Sequence, residues 1–350
     1  MRDLSRPSDD VAKADDLRWM RRALEQARRG LGRTTPNPVV GACIVTDEGV
    51  VVGDGAHERA GEPHAEVHAL NEAGARARGA TLYCTLEPCS HTGRTGPCTE
   101  RIIAAGIKRV VAAMEDPFPL VSGRGFDELR AHGIDVVDGI GREASARLNQ
   151  PFLTAVRQGR PFIILKAATS IDGRIAAAPG RRTQLTSVEA NRRVQYLRAQ
   201  VDAVGVGSDT ILVDDPLLTV RDVYRERPLI RIIFDRRRRV PQTARVFSTQ
   251  AQGPVRVVGS PGEDLKSILR QLASEGVQSL LLEGGARLHA AAWDADVVDY
   301  VQLYVTPAAL GPAGVPVFGG RPWSLSSLID PRVEVLGPDT LIEGYVHRPH

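Results

Sequence analysis

Residues 80–114, ATLYCTLEPCSHTGRTGPCTERIIAAGIKRVVAAM, change their apolar period twice. ATLYCTL (80–86) is apolar and β-rich, CTERIIAAG (98–106) has helical spacing and ends on glycine, and RVVAAM (109–114) is another strand run. Strand, crossover helix and strand are the unit of an α/β layer. Outward from this unit, HAEVHALNEAGARA after Pro63 reads as a helix. VVGACIV (39–45) and GVVVGDG (49–55), separated by Thr46-Asp47-Glu48-Gly49, read as a β-hairpin. Leu17, Met20, Leu24 and Ala27 recur every three to four residues, which predicts an amphipathic helix from about Asp15 to Arg29 behind a polar tail, residues 1–14. DELRAHG followed by IDVV adds a third helix and strand.

A new alternation starts at PFIILKAATS, where Pro161 opens a strand run. AVGVG, IRIIF, VRVVG, SLLLEGG and YVQLYV read as buried strands, with helices near Ser187 to Gln200, Asp264 to Ser274 and Ala286 to Trp293. The expected organisation is therefore two α/β domains, residues 15–159 and 160–350.

Composition narrows the class. With 42% hydrophobic and 25% charged residues and no long apolar run, the 350-residue chain reads as a soluble globular protein with no membrane role. Its polar start lacks the apolar stretch of a secretory signal, so a cytoplasmic protein with reduced thiols is expected. A net charge of +3 is too small to argue for nucleic acid, yet suits a phosphorylated substrate.

The four cysteines lie between Cys43 and Cys98. Cys43 and Cys84 sit in apolar strand runs and read as small buried hydrophobes. Cys89 and Cys98 flank a polar loop and suit zinc, as does His64 at the start of a helix. A histidine, a glutamate two residues on (Glu66) and a later cysteine pair introduced by Pro88 form the constellation of zinc-dependent base deaminases. Zinc lowers the pKa of bound water to about 7, and a nearby carboxylate can carry the proton to the leaving amine. His68 has helical spacing from His64, but HAEVH lacks the glutamate directly after its first histidine that the metalloprotease motif requires. Eight residues separate Cys89 and Cys98, where the generic signature has two.

TPNPVVGACIV, AGEPHAEVHAL and TLEPCSHTGRTGPC closely resemble the deaminase domain of the bifunctional riboflavin-biosynthesis family, diaminohydroxyphosphoribosylaminopyrimidine deaminase and 5-amino-6-(5-phosphoribosylamino)uracil reductase. The long loop between cysteines is usual there. The resemblance covers about residues 15–345 and implies a cytidine-deaminase-like α/β/α domain followed by a dihydrofolate-reductase-like α/β domain. It implies that His64, Cys89 and Cys98 bind Zn2+, one per chain, that Glu66 is the catalytic proton carrier, and that Asn37 pairs with the pyrimidine edge. An ordinary turn asparagine would look the same at Asn37. His91 and Arg94, inside the loop, are expected to grip the ribose phosphate.

KAATSIDGRIA, LRAQ, GSDTILVDDPLLTVR and EGGARL match the family's reductase motifs. Position by position, Thr169, Thr210, Asp214 and the segment Gly285, Ala286, Arg287, Leu288 and His289 are expected to touch NADPH, and Arg198, Leu217, Arg221 and Glu283 the substrate. Lys166 is expected near the reacting carbon, where an amine can polarise or protonate. The residues themselves show a strand ending in Glu283, two glycines and a helix N-terminus able to hold a pyrophosphate. A ligand-free strand–helix turn would look the same. Arg182 and Gln184, expected at substrate and cofactor, stand where the family often has serine and tryptophan. Arg236, where serine is common, opens the run Arg236 to Arg239, which suits either the 2′-phosphate of NADPH or a solvated basic loop.

The expected function is zinc-dependent deamination of a phosphorylated diaminopyrimidinone followed by NADPH-dependent reduction, in a homo-oligomer. A nucleic-acid deaminase would want a basic face rich in aromatics, whereas aromatics are 5% of this chain. A purely structural zinc site would need a fourth protein ligand, from His68 or His91.

Overall fold

The computed structural model describes residues 9–90, 96–118, 122–321 and 323–349. The chain divides into two compact units, the first ending at Arg157 and the second running from Gln158 to Pro349. Among the described residues no helix is long and apolar enough to cross a membrane.

The first unit opens with α1 (Asp9–Ala27), which takes in residues 9–14 that the apolar spacing had left to a tail. Lys13 and Ala14 extend a helix without adding to the apolar period that marks one in sequence. The hairpin β1 (Gly41–Val45) and β2 (Val51–Ala56) is followed by α2 (Ala65–Ala73), β3 (Thr81–Cys84), α3 (Cys98–Ala105) and β4 (Arg109–Ala112). Then come α4 (Arg124–Ala131), β5 (Asp135–Asp138), α5 (Arg142–Leu148) and α6 (Gln150–Gln158). The sheet order is β2-β1-β3-β4-β5, antiparallel through β3 and parallel from β3 to β5.

Strand alternation divides the side chains into two layers. Ala42, Ile44, Leu82, Cys84, Val110 and Ala112 face α2, α3 and α4, while Cys43, Val45, Tyr83, Val111 and Ala113 face Met20, Ala23 and Leu24 of α1. Cys43 and Cys84 are thus core thiols, and burial pushes both up in pKa, Cys43 to about 12. Glycines set how closely α2 lies on the hairpin. A Cβ on Gly55 would fall 1.9 Å from the Ala65 carbonyl oxygen, and one on Gly53 2.1 Å from that of Ala69.

The second unit contains β6 (Phe162–Ser170), β7 (Arg174–Ala176), α7 (Val188–Gln200), β8 (Ala203–Gly207), α8 (Ser208–Asp214) and β9 (Ile230–Phe234). These precede β10 (Val255–Val258), α9 (Leu265–Ser274), β11 (Ser279–Gly284), α10 (Ala286–Asp294) and β12 (Tyr300–Thr306). It closes with β13 (Val315–Pro316), β14 (Ile329–Leu336) and β15 (Asp339–Tyr345). Its eight-stranded sheet has the order β10-β9-β8-β11-β6-β12-β15-β14, parallel as far as β12 and antiparallel beyond. Ile163, Leu165, Leu280 and Leu282 pack under α9 and α10, and Val204, Val206, Ile233 and Leu281 pack against Leu197 of α7 and Ile211 of α8. The carboxyl ends of parallel strands are where α/β sheets place ligands, and β6, β8 and β11 end there in the residues singled out above.

Candidate active sites

In the first unit three chain segments meet at one point. His64 caps α2 with extended backbone, Cys89 follows β3, and Cys98 is the first residue of α3. Their ligand atoms lie within 4.8 Å of one another, His64 Nδ1 being 3.5 Å from Cys89 Sγ and 3.3 Å from Cys98 Sγ. The backbone N–H of Cys98 donates to Cys89 Sγ at 3.4 Å, so the α3 N-terminus helps hold a thiolate. Hydrogen bonds from the Cys98 thiol and His64 draw Cys89 down to about 4, and the same contact with Cys89, reinforced by burial, pushes Cys98 up. Interaction with Cys89 raises His64 to about 8.

Glu66 sits in the first turn of α2, 3% exposed, its pKa raised by burial. Its Oε2 has no hydrogen-bond partner among the described residues, an unusual state for a buried carboxylate. The donor set fits a catalytic zinc: one imidazole and two thiols converge, and a carboxyl oxygen with no partner stands beside them. His68 does not join the cluster. Glu87 fixes the approach to Cys89 by accepting backbone N–H groups of Asp116, Gly123 and Gly125 at 3.1, 3.0 and 2.8 Å.

Asn37 lies in a turn whose N–H bonds to the Thr34 carbonyl, and its side-chain Nδ2 is 3.0 Å from His57 Nε2. His57, at the end of β2, places Nδ1 3.2 Å from the Pro63 carbonyl and packs edge-on to His64 with ring centroids 5.3 Å apart. A carbonyl only accepts, so Nδ1 carries the proton and Nε2 accepts from Asn37, which leaves the Asn37 carbonyl oxygen for another donor. Burial lowers the His57 pKa and keeps the ring neutral. His91 and Arg94 lie outside the described residues.

In the second unit a cleft of about 290 Å³ is lined by eight of the residues singled out in the sequence: Arg182, Gln184, Arg198, Thr210, Asp214, Leu217, Arg221 and Glu283. Glu283, at the end of β11, meets Arg198 of α7 in a two-pronged ion pair, Nε–Oε1 2.5 Å and Nη2–Oε2 2.7 Å. Arg198 Nη1 also donates to the Thr219 carbonyl at 2.8 Å. Arg198 is therefore committed to protein groups, and the guanidinium expected to face the substrate is a buried partner that orients Glu283. Burial works against the Glu283 carboxylate, but Arg198 outweighs it and holds its pKa below the usual range. Lys166 Nζ lies 5.6 Å from the centre of the Tyr304 ring, its pKa lowered by burial with Glu283 opposing.

A larger cavity of about 1110 Å³ is lined by Arg236, Gly285, Ala286, Arg287 and Leu288, at the N-terminus of α10. Gly284 has φ +148°, a backbone conformation that side-chain-bearing residues rarely adopt, and a Cβ on Gly285 would come a tight 3.2 Å from Thr210 Oγ1, so this turn favours glycine. Free helix amides, arginines and a bare backbone turn fit a dinucleotide with its phosphates. Two residues expected at the cofactor do not line either cavity. His289 is buried against Phe318, its pKa pushed down to about 4 by burial, and the Thr169 hydroxyl donates to the Ser170 carbonyl. Both lie on the inward face of their elements, which position-by-position correspondence does not report.

Residues 13–114 match the family described as cytidine and deoxycytidylate deaminase zinc-binding region, and residues 161–342 the RibD C-terminal domain. Riboflavin biosynthesis protein RibD of Escherichia coli (strain K12) is 43% identical over 326 residues, 85% of this chain and 89% of that one. The chain belongs to the RibD family. The RibD of Aquifex aeolicus (strain VF5) is 42% identical over 85% of this chain and 88% of its own length. Among solved structures, the deaminase/reductase of Thermotoga maritima matches with a TM-score of 0.85 at 36% identity, covering 95% of this chain and 99% of that one. Acinetobacter baumannii RibD matches with a TM-score of 0.84 at the same identity and coverage. The first unit thus has the cytidine-deaminase-like fold and the second the dihydrofolate-reductase-like fold of RibD, and the deaminase and reductase domains of RibD use zinc and NADPH.

Sequence reasoning missed two residues that the RibD fold brings to these sites. His57 lies between GVVVGDG (49–55) and AGEPHAEVHAL (60–70) and belongs to neither, so only its pairing with Asn37 reveals it. Arg245 lines the smaller cleft from a separate 3₁₀ turn, Arg245–Gln252, that lies outside every motif, beyond the run Arg236 to Arg239 and before EGGARL.

Proposed function

We propose that this RibD carries out two consecutive steps. The first unit removes the 2-amino group of 2,5-diamino-6-(5-phosphoribosylamino)pyrimidin-4(3H)-one by hydrolysis, and the second reduces the ribosyl group to give 5-amino-6-(5-phosphoribitylamino)uracil. The observation that carries this reading is the half-buried His64, Cys89 and Cys98 cluster beside an unpartnered Glu66 oxygen.

Zinc, held by those three residues, supplies activated water when bound. Glu66 takes a proton from the attacking water and returns it to the departing amine, which leaves as ammonia. Asn37, its amide fixed by His57, presents its carbonyl oxygen to a ring or amino N–H of the pyrimidine. His91 and Arg94 are read as phosphate ligands.

Gly285 to Leu288, with Thr210 and Asp214, would hold NADPH, which would supply the hydride for reduction of the ribosyl group in the second unit. Arg236 is read as the partner of its 2′-phosphate, and Gln184 borders the cofactor where the family often has an aromatic ring. Glu283 and Leu217 position the substrate, Arg221 and Arg182 face its phosphate, and Lys166 holds a proton for the ring oxygen released as the C1–O bond opens. His289 and Thr169 support this pocket from within. The enzyme is read as a cytoplasmic homo-oligomer, and edge strand β14, with Val333 and Val335 exposed, offers it a surface.

A structural zinc site would need a fourth protein ligand, and none joins the three among the described residues. The test is to supply the phosphorylated diaminopyrimidinone with and without NADPH and to identify products by mass. Ammonia and the deaminated intermediate are expected without NADPH, and the ribityl product with it. Recovery of unchanged substrate in both arms would refute the reading.

A further inference from the structure

Arginines are abundant around the smaller cleft of the second unit, and the fold engages most of them. Arg198 pairs with Glu283. Arg225 donates to the carbonyls of Arg198, Ala199 and Val201, and Arg227 pairs with Asp202. Arg231, 1% exposed, donates to the carbonyls of Leu217, Val246 and Gly253. Three guanidinium groups that line the cleft have no such role: no described group accepts a hydrogen bond from Arg182, Arg221 or Arg245, and Arg182 acts on Asp214 through its charge alone. They come from three separate segments, and only the fold brings Arg245 to the others.

The placement of Arg245 is fixed from below. Its backbone N–H donates to Asp215 Oδ1 at 2.8 Å. Arg231 staples the carbonyl of Leu217, on the cleft wall, to that of Val246, next to Arg245. Gln195 Oε1 accepts the backbone N–H of Arg221 at 2.9 Å, which anchors the same wall. A buried guanidinium spent on backbone carbonyls thus holds rigid the two segments that present the free ones, and rigid placement lowers the ordering cost of binding.

We propose that Arg245 is a substrate-specificity residue of the reductase site, joining Arg182 and Arg221 to form a three-arginine subsite for the phosphate monoester of the reductase substrate. This inference rests on the function proposed above and adds to it. A phosphate dianion has acceptor oxygens enough for several charge-assisted hydrogen bonds, and arginine forks match that geometry. Once Glu283 is matched by Arg198, Asp214 and Asp215 are the carboxylates that line the cleft against Arg182, Arg221 and Arg245, which leaves one positive charge in excess, Arg182 being the arginine that acts on Asp214. The cofactor's phosphates have a separate place, the larger cavity at the N-terminus of α10, with arginines of its own.

The test is steady-state kinetics of Arg245→Gln and Arg245→Lys in the full-length holoenzyme, varying the deaminated phosphorylated intermediate and NADPH separately. Arg245→Gln is expected to raise KM for the intermediate by roughly tenfold to a hundredfold, with kcat and the KM for NADPH within about twofold and with partial rescue in Arg245→Lys. The dephosphorylated intermediate is expected to show no difference between wild type and variant. An unchanged KM for the phosphorylated intermediate, or a rise confined to NADPH, would overturn the proposal, the second by assigning Arg245 to a cofactor phosphate. Ribose 5-phosphate binding by calorimetry separates the proposal from the function it rests on. If wild type binds this probe at least tenfold more tightly than Arg245→Gln, the subsite stands even where turnover fails, and equal binding overturns it.

Discussion

Arg198→Ala removes one half of a buried ion pair and leaves Glu283 charged beside Lys166. The side chains of Arg198 and Glu283 are 12% and 8% exposed and share two short hydrogen bonds, and a third guanidinium N–H holds the Thr219 carbonyl. Breaking such a pair from one side costs about 3–5 kcal/mol, because the remaining charge keeps its desolvation cost and loses its partner. For a unit of this size that corresponds to a fall of roughly 6–20 °C in Tm. The assay is calorimetry of the full chain, following the transition that NADPH raises, since a ligand that binds only the folded state stabilises the unit that holds it. Arg198→Met with Glu283→Gln, which removes both charges, is expected to recover most of the loss. The pair also sets a pH dependence. Glu283 is held below the ordinary carboxylate range, so its contribution is fully present above that range and is lost as pH falls through the folded-state value. Arg221→Ala, at an exposed position, is expected to leave Tm unchanged. If Arg198→Ala unfolds within about 1 kcal/mol of wild type, the reasoning fails and Arg198 is a surface ligand rather than the anchor of Glu283.

Gly55→Ala would place a methyl group against the Ala65 carbonyl and push α2 off the hairpin. The expected cost is about 1–3 kcal/mol together with reduced zinc content, and wild-type stability and zinc would refute the packing argument. Dialysis against a chelator is expected to abolish ammonia release while NADPH oxidation continues on supplied deaminated intermediate; loss of both activities would contradict separate sites. Arg236→Ala is expected to lower the preference for NADPH over NADH by roughly tenfold, and equal use of both cofactors by wild type would remove the 2′-phosphate role.

The layers of both units were legible because strand and helix periods alternate sharply, as in ATLYCTL, CTERIIAAG and RVVAAM. The hairpin β14 and β15 was not, since β14 contains Pro331 and is exposed on both faces, so it shows neither alternation nor a buried run. The helix α8, seven residues long, is too short for a period to appear. At the sites, His64, Glu66, Cys89 and Cys98 were readable because metal chemistry restricts residue type and local spacing. Arg198 was readable as a site residue but not as a paired one, for its partner lies 85 positions away. His57 and Arg245 depend wholly on tertiary contacts, with Asn37 and with Asp215.

The central claim is that Glu66 carries protons beside a zinc held by His64, Cys89 and Cys98. Glu66→Gln keeps the shape of the side chain and removes its charge. Metal analysis of the purified variant together with its rate of ammonia release tests the claim most directly. About one zinc per chain is expected to remain, with ammonia release reduced by roughly 10²–10⁴-fold. Ammonia release at the wild-type rate, with zinc retained, would contradict it.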